Sequence, residues 1–111
     1  MNPTDKSDAN VRQLTNFRQD LIKRRMGEIN GIISILTNLL MLQGAPTQDY
    51  RAKEFREWIK VVPLPRVDRF IIDRHMGAWE FFDNQILEIE AHITKYSEEA
   101  KAMASHVPSK Q

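Results

Sequence analysis

A long stripe of apolar residues runs through the first part of the chain. From Val11 to Leu40 the apolar positions recur in steps of three and four residues, which keeps them on one side of a helix, with one gap where Lys23, Arg24 and Arg25 make the expected apolar position basic. We expect this helix to start near Ser7 or Asp8, either of which could cap it. We expect it to end near Gln43, because Gly44 follows the last periodic position. At about 1.5 Å per residue the helix would be roughly 50 Å long and would need a second long helix beside it.

The second long helix is predicted at the other end of the chain. Pro65 suits a first helical turn, and apolar residues from Val67 to Met103 keep helical spacing. From Phe82 onward the apolar pattern narrows toward the seam of a coiled coil. Pro108 marks the far limit of this helix.

A short amphipathic helix, about Asp49 to Val61, is predicted between the two long ones, with Thr47 as its possible N-cap. Strand-like alternation is absent from the sequence. The fold class is therefore all-α: an elongated, coiled-coil-like antiparallel hairpin of two long helices with a short connecting helix. We expect a flexible N-terminal tail over residues 1–8, a helical spacer domain over 9–105 and a C-terminal tail over 106–111.

The apolar stripes are the predicted surfaces of helix pairing. The residues assigned to this pairing are Leu14, Leu21, Ile32, Leu36, Phe81, Ile86, Ile89 and Ile93. The middle of the chain is also rich in aromatic residues, namely Phe55, Trp58, Phe70, Trp79, Phe81 and Phe82. We interpret them as packing where the short helix lies over the hairpin, in preference to a platform for stacking nucleobases. Gly77, beside Trp79, is a candidate for a close approach of a helix or ring.

Composition narrows the classes of function. The chain has 111 residues, 41% of them hydrophobic, and no cysteine, which excludes disulfides, thiolate metal sites and a cysteine nucleophile. The cytoplasm is therefore the expected compartment. The most apolar stretch, Ile29 to Leu42, is interrupted by polar residues and is too short to span a bilayer, so a membrane role is not expected.

Charge is distributed unevenly although the net charge is only +1. The first two thirds of the chain carry an excess of basic residues, and the stretch from Glu80 to Lys101 carries an excess of acidic ones. This distribution indicates either pairing within the molecule or a polyanionic partner for the basic part. The candidate phosphate-binding residues on the first helix are Arg12, Arg18, Lys23, Arg24 and Arg25. The alternative for this basic stretch is a merely solvated helix face.

Candidate catalytic and metal-binding groups do not converge. His75, His92 and His106 lack a second histidine three or four residues away, and Glu88 stands four residues before His92 where di-iron bundles use three. The carboxylates of the acidic stretch fall on the polar side of a helix. We expect no catalytic residues, no metal, no cofactor and no small-molecule substrate, and so not an enzyme.

Several helical patterns together resemble the central region of insertion-sequence transposases of the IS-one-ten type. The first helix resembles that family's "R-x-L … R-x-x-L … R … E-x-N" pattern, and a later run resembles its "Q-I-x-x-L-E-x-x-I". The segments that carry the resemblance are Val11–Leu21, Arg25 with Glu28–Asn30, Leu39–Gly44, Leu64–Pro65, Gln85–Ile93 and Val107–Pro108. Two positions depart from the family: Gly31 stands where it commonly has arginine, and Ser109 where it has glycine.

The resemblance implies a role without chemistry of its own. The family's RuvC-like domain with four carboxylates and its serine domain lie outside this chain. In such transposases the helical region helps to assemble the dimer, spaces the catalytic domains and touches structured RNA that bridges two DNAs. The expected partners are therefore nucleic acid and a second copy of the chain. The alternative is a free-standing helical adaptor that dimerises through the same stripes and binds no nucleic acid.

Overall fold

A computed structural model describes the backbone of residues 3–106 and the side chains of residues 8–102. Within that part every regular element is helical: α1 spans Pro3–Asn38, a 3-10 turn Leu42–Gly44, α2 Lys53–Val61 and α3 Arg66–His106. The two long helices pack against each other. The all-α prediction is confirmed. The predicted limit at Pro108 lies outside the described residues, and the predicted C-terminal tail does too apart from His106.

The start of α1 lies earlier in the chain than expected. The helix begins at Pro3, so neither Ser7 nor Asp8 occupies the cap position that the sequence predicted for it, and most of the predicted 1–8 tail is helical. Proline is tolerated at such a start because its fixed φ suits the first helical turn, where its missing N–H has no acceptor to reach.

The end of α1 is set by Leu40 and not by Gly44. Leu40 has φ 58°, and it is the one residue other than glycine with positive φ in the described part of the chain. The Met41 N–H donates to the Leu36 carbonyl at 2.9 Å and the Leu40 N–H to the Thr37 carbonyl at 3.0 Å. This is the Schellman arrangement, which usually places glycine where Leu40 stands. The prediction that the helix continues to Gln43 is therefore wrong.

Replacing Leu40 with glycine is expected to raise the free energy of unfolding by about 0.5–1 kcal/mol. The left-handed conformation costs a residue with a Cβ about 1–2 kcal/mol, and glycine avoids this cost. Part of the benefit is lost because the unfolded chain with glycine has more conformational entropy to lose on folding. Little burial is lost because Leu40 is 76% exposed. Urea denaturation measures the difference, and Leu40→Ala is the control that keeps the strained Cβ. Equal stability of the two variants would contradict the role of backbone strain.

The short helix α2 starts later than predicted, and Thr47 does not cap it. The Thr47 hydroxyl accepts a hydrogen bond from the Asp49 N–H at 3.0 Å, and Asp49 in turn accepts from the Arg51 N–H at 3.2 Å. These local bonds hold two successive turns in place of a helix. The helix follows from Lys53, with Ala52 at its N-cap position and no side-chain cap.

The connection from α2 to α3 is held by Arg69. Its guanidinium donates to the carbonyls of Ile59 and Val62, which are left open at the end of α2, and lies 3.4 Å from the Asp73 carboxylate. The planar fork of arginine suits this set of acceptors. The Arg69 N–H itself donates to the Pro65 carbonyl at 2.8 Å, which starts α3 one residue after the proline.

The chain forms two compact units. Unit 1 comprises Met1–Lys23 and Phe82–Gln111, and unit 2 comprises Arg24–Phe81. The core of unit 2 brings together residues of all three helices, which are Ile29, Ile32, Leu36, Phe55, Ile59, Ile72 and Trp79. In unit 1 the most deeply buried residues are Leu21 and Ile86.

Candidate nucleic-acid interface

The five predicted phosphate-binding cations divide into exposed and engaged side chains. In unit 1, Arg12 and Lys23 are exposed, whereas Arg18 is partly buried. In unit 2, Arg24 is exposed, and Arg25 is half-buried and already takes part in a side-chain interaction. An arginine that is held by other protein groups has fewer donors to offer a phosphate. The structure therefore leaves Arg12, Lys23 and Arg24 as the accessible members of the set.

Arg18 pairs with an acidic residue of α3 within unit 1. Its Nη2 lies 2.8 Å and its Nε 2.9 Å from Oε2 of Glu90. The side chains are 31% and 41% exposed, so solvent screens this ion pair and its contribution to stability is modest. Of the two explanations for the uneven charge, pairing within the molecule is therefore the one that applies to Arg18.

Arg12 and Lys23 lie at the two ends of an exposed polar row on α1 in unit 1. Asn16 and Gln19 lie between them at helical spacing, and all four side chains are exposed. The two cations are about 16 Å apart along the helix axis, given a rise of about 1.5 Å per residue. Asp20 is exposed next to Gln19 and lowers the local positive potential. The amide residues of this row were not singled out from the sequence, because their role depends on which face of α1 is covered.

The predicted helix-pairing residues are mostly covered in their own units. Unit 1 buries Leu21 and Ile86 to 3% and 4% exposure and partly buries Leu14, Ile89 and Ile93. Unit 2 buries Ile32 and Leu36 completely. Phe81 differs, because 57% of it is exposed.

The aromatic residues follow the packing interpretation only in part. Phe55 and Trp79 are buried in the core of unit 2, and the ring of Phe55 lies 4.9 Å from that of Tyr50. Phe70 and Phe81 are exposed by 59% and 57%, so these two rings are not buried beneath the short helix as that interpretation expects. Helical spacing places a residue on a face but does not say whether another element covers that face.

The guanidinium of Arg56 lies over the Trp79 ring at 4.1 Å from its centroid. Trp79 is 1% exposed, and its indole N–H is buried without a hydrogen-bond acceptor. A cation on the face of a buried indole is favourable because the ring quadrupole attracts it. The contact explains why Arg56, a basic residue of α2, points toward the core of unit 2.

His75 fills a space on α1 that only a glycine leaves open. A Cβ built on Gly31 would lie 2.7 Å from Cε1 of the His75 ring. The ring is held there by Glu28, whose Oε1 lies 2.8 Å from Nδ1 of His75. The expected close approach at Gly77 is wrong, since nothing lies within 4 Å of a Cβ built there.

Metal-ligating side chains and surface grooves were the remaining features of a possible site, and both are modest in the described residues. Between residues 8 and 102 no three histidine, cysteine or carboxylate side chains form a cluster that could hold a metal ion. One shallow groove of about 350 Å³ in unit 1 is lined by Asn10, Gln13, Leu14, Phe17 and Tyr96. A second, of about 360 Å³ in unit 2, lies between the end of α1 and the end of α2. The residues that line these two grooves carry no charge.

No family model matches this chain, and no curated protein and no solved structure shows a significant similarity to it. In the described part of the chain, none of the helices combines the length and the apolar character that crossing a bilayer requires.

Proposed function

We propose that the chain is a non-catalytic helical segment of a transposase of the IS-one-ten type. In this proposal it acts in DNA transposition and recombination as part of the full enzyme, in the cytoplasm, where it contributes dimerisation, domain spacing and nucleic-acid contact. The support is the resemblance of the segments from Val11 to Pro108 together with the all-helical fold. The observation that carries the nucleic-acid part is the exposure of Arg12, Lys23 and Arg24.

The proposed contact is made to phosphate groups. Arg12 and Lys23 lie on one polar row of α1, where Asn16 and Gln19 add amide groups that can bond to sugar and phosphate oxygens. Arg18 lies off this row by helical spacing, and its guanidinium is engaged with Glu90. Such contacts position a nucleic acid and carry little sequence information, in keeping with a spacer that holds a structured RNA.

The test is a salt titration of binding to a structured RNA. Each phosphate contact that is lost should lower the slope of log K against log salt concentration by about 0.7–0.9. The triple variant Arg12→Ala, Lys23→Ala, Arg24→Ala is expected to lower the slope by about two to three and to weaken binding at least tenfold at low salt. Fluorescence anisotropy with a labelled stem-loop RNA measures both quantities.

A matched control removes the same charge elsewhere. Arg51→Ala, Lys53→Ala and Lys60→Ala change three exposed cations of unit 2 that lie outside α1. This variant should lose binding only through the general reduction in net charge. The nucleic-acid proposal is rejected if the natural chain shows no affinity at low ionic strength, or if the two triple variants weaken binding equally.

We also propose that α1 and α3 form an elongated, coiled-coil-like antiparallel hairpin. Contacts within unit 1 support the antiparallel direction. Arg18 of α1 meets Glu90 of α3, whereas Tyr96, further along α3, lines a groove with Asn10 and Gln13, which come earlier on α1. Small-angle scattering of the purified chain tests the elongation, and a profile typical of a sphere would reject it.

The second candidate function is a free-standing helical adaptor that dimerises and binds no nucleic acid. The observation that favours it is the amount of apolar surface that α3 exposes in unit 2. The adjacent DNA distinguishes the two candidates. A neighbouring reading frame with the RuvC-like half or the serine domain would favour the transposase, and intact unrelated genes would favour the adaptor.

A further inference from the structure

The helix α3 is apolar on two opposite faces within unit 2. One face buries Ile72 and Trp79 in the core. The opposite face carries Val67, Phe70 and Phe81, which are 67%, 59% and 57% exposed. A helix with one covered face normally presents polar residues to solvent. Large apolar residues on both faces indicate that the second face is covered in the assembled protein.

The exposed apolar residues follow the spacing of a coiled-coil seam. Val67, Phe70, Arg74, Gly77 and Phe81 are separated by alternating steps of three and four residues, and we call these five residues the outer seam. This spacing keeps side chains on one narrow line that faces a partner helix. The guanidinium of Arg74 lies 5.0 Å from the centroid of the Phe70 ring, so the cation in the seam is already placed on an aromatic face.

We propose that the outer seam is the docking surface for the outer seam of a second copy of this chain, with the two α3 helices antiparallel. The inference rests on the homo-oligomer part of the proposed function and names the surface that carries it. The residues first predicted for helix pairing are, apart from Phe81, at least partly buried within their own units, so contact between chains needs a different surface.

The antiparallel direction follows from Arg74. In a parallel pair each seam residue faces its own counterpart, and the two Arg74 side chains would meet in the interface. In one register of an antiparallel pair Arg74 faces Phe70 of the partner subunit and Val67 faces Gly77 of the partner subunit, while Phe81 lies beyond the overlap of the two seams. Nothing lies within 4 Å of a Cβ built on Gly77, so there is room there for the valine. Both contacts occur twice because the interface is two-fold symmetric.

Charges beside the seam select the register. In the register just described, Arg66 faces Glu80 of the partner subunit, which gives two attractive ion pairs across the interface. If the helices slid to the next seam position, Asp73 would lie opposite Glu80 of the partner subunit. The two-fold symmetry would produce this repulsive contact between carboxylates two times. In the favoured register the two Asp73 side chains approach each other, and each is accompanied by Arg69 at 3.4 Å.

The first test measures self-association of Phe70→Glu by analytical ultracentrifugation over a wide concentration range. A charge at the centre of the seam is expected to weaken dimerisation at least about 30-fold. Leu87→Glu is the matched control, because Leu87 is on the same helix and 64% exposed but lies off the seam. Circular dichroism confirms that both variants remain helical. A natural chain that is monomeric throughout overturns both this inference and the oligomer part of the proposed function.

The second test exchanges the flanking charges. Arg66→Glu and Glu80→Arg should each weaken the dimer about tenfold, and the double variant should return its affinity to near that of the natural chain. Recovery supports the antiparallel pairing. A natural dimer that is insensitive to Phe70→Glu, or a double variant as weak as the single ones, overturns the seam while leaving self-association itself in place. RNA binding by the same variants is measured separately, so a failure of the nucleic-acid proposal is not confused with either result.

Discussion

Replacing Phe55 with alanine is expected to lower the free energy of unfolding by about 3–5 kcal/mol. Phe55 is 0% exposed and lies in the core of unit 2 with residues of both long helices. Its ring also contacts Tyr50 and Trp58, with centroids 4.9 and 5.8 Å away. The loss would be a large fraction of the stability of a domain of this size, about 5–15 kcal/mol.

The effect should be large because α2 depends on this side chain. The helix has 9 residues and no side-chain cap at its start. A helix of that length is unstable alone, so its formation requires burial of its apolar face. Loss of Phe55 therefore removes both a packed ring and much of the reason for α2 to be helical.

Val61→Ala is the matched control for this prediction. Val61 is on the same helix and 78% exposed, so its truncation should change stability by no more than about 0.5 kcal/mol. Urea denaturation followed by circular dichroism measures both variants. Similar losses in the two variants would show that α2 does not dock through Phe55.

Apolar periodicity was sufficient to predict the two long helices, but not where the first one ends. A glycine after a helical pattern usually marks its C-terminus, so Gly44 predicts that the helix ends near Gln43. The chain instead turns at Leu40, whose left-handed backbone no sequence rule anticipates for a leucine. Met41, the residue after Leu40, packs against the core of unit 2, and this contact fixes the position of the turn.

The sequence also left open which apolar faces are covered. Phe70 and Trp79 have the same kind of helical spacing, yet Trp79 is buried and Phe70 is exposed. The difference comes from α2 and α1, which pack on only one side of α3 in unit 2. Helical spacing therefore predicted that α3 is a helix with apolar positions, but not which of those positions another helix covers.

The same limit applies to the basic residues of α1. The sequence placed Arg12 and Arg18 in one phosphate-binding set, but Arg18 pairs with Glu90, which is 72 positions away along the chain. Only the packing of α3 on α1 in unit 1 determines that pairing. Which of the five basic residues are exposed depends on where α3 covers α1.

Gly31 is a position on α1 where the structure explains the glycine. The His75 ring occupies the space in which any Cβ at residue 31 would lie, at 2.7 Å from its Cε1 atom. This applies to every residue that has a Cβ. In unit 2 the glycine at position 31 of α1 therefore makes room for the histidine at position 75 of α3.

Replacing Gly31 with valine is expected to lower the free energy of unfolding by about 2–3 kcal/mol, even though glycine is the poorer helix former. The valine Cβ must displace the imidazole, and the ring can leave only by giving up its 2.8 Å contact with Glu28. Gly27→Val is the control, because Gly27 is on the same helix and has nothing within 4 Å of its position for a Cβ. That variant should be neutral or slightly more stable.

A double-mutant cycle with His75→Ala identifies the cause. If the ring is what opposes the new side chain, Gly31→Val should cost at least about 1 kcal/mol less when residue 75 is alanine. The pair is in direct contact, so the two changes should not be additive. An unchanged cost would mean that the valine is opposed by the backbone of the opposing helix, and His75 would then not be the reason for the glycine. Thermal and urea unfolding of the four proteins, with the Gly27→Val control beside them, gives the coupling free energy directly.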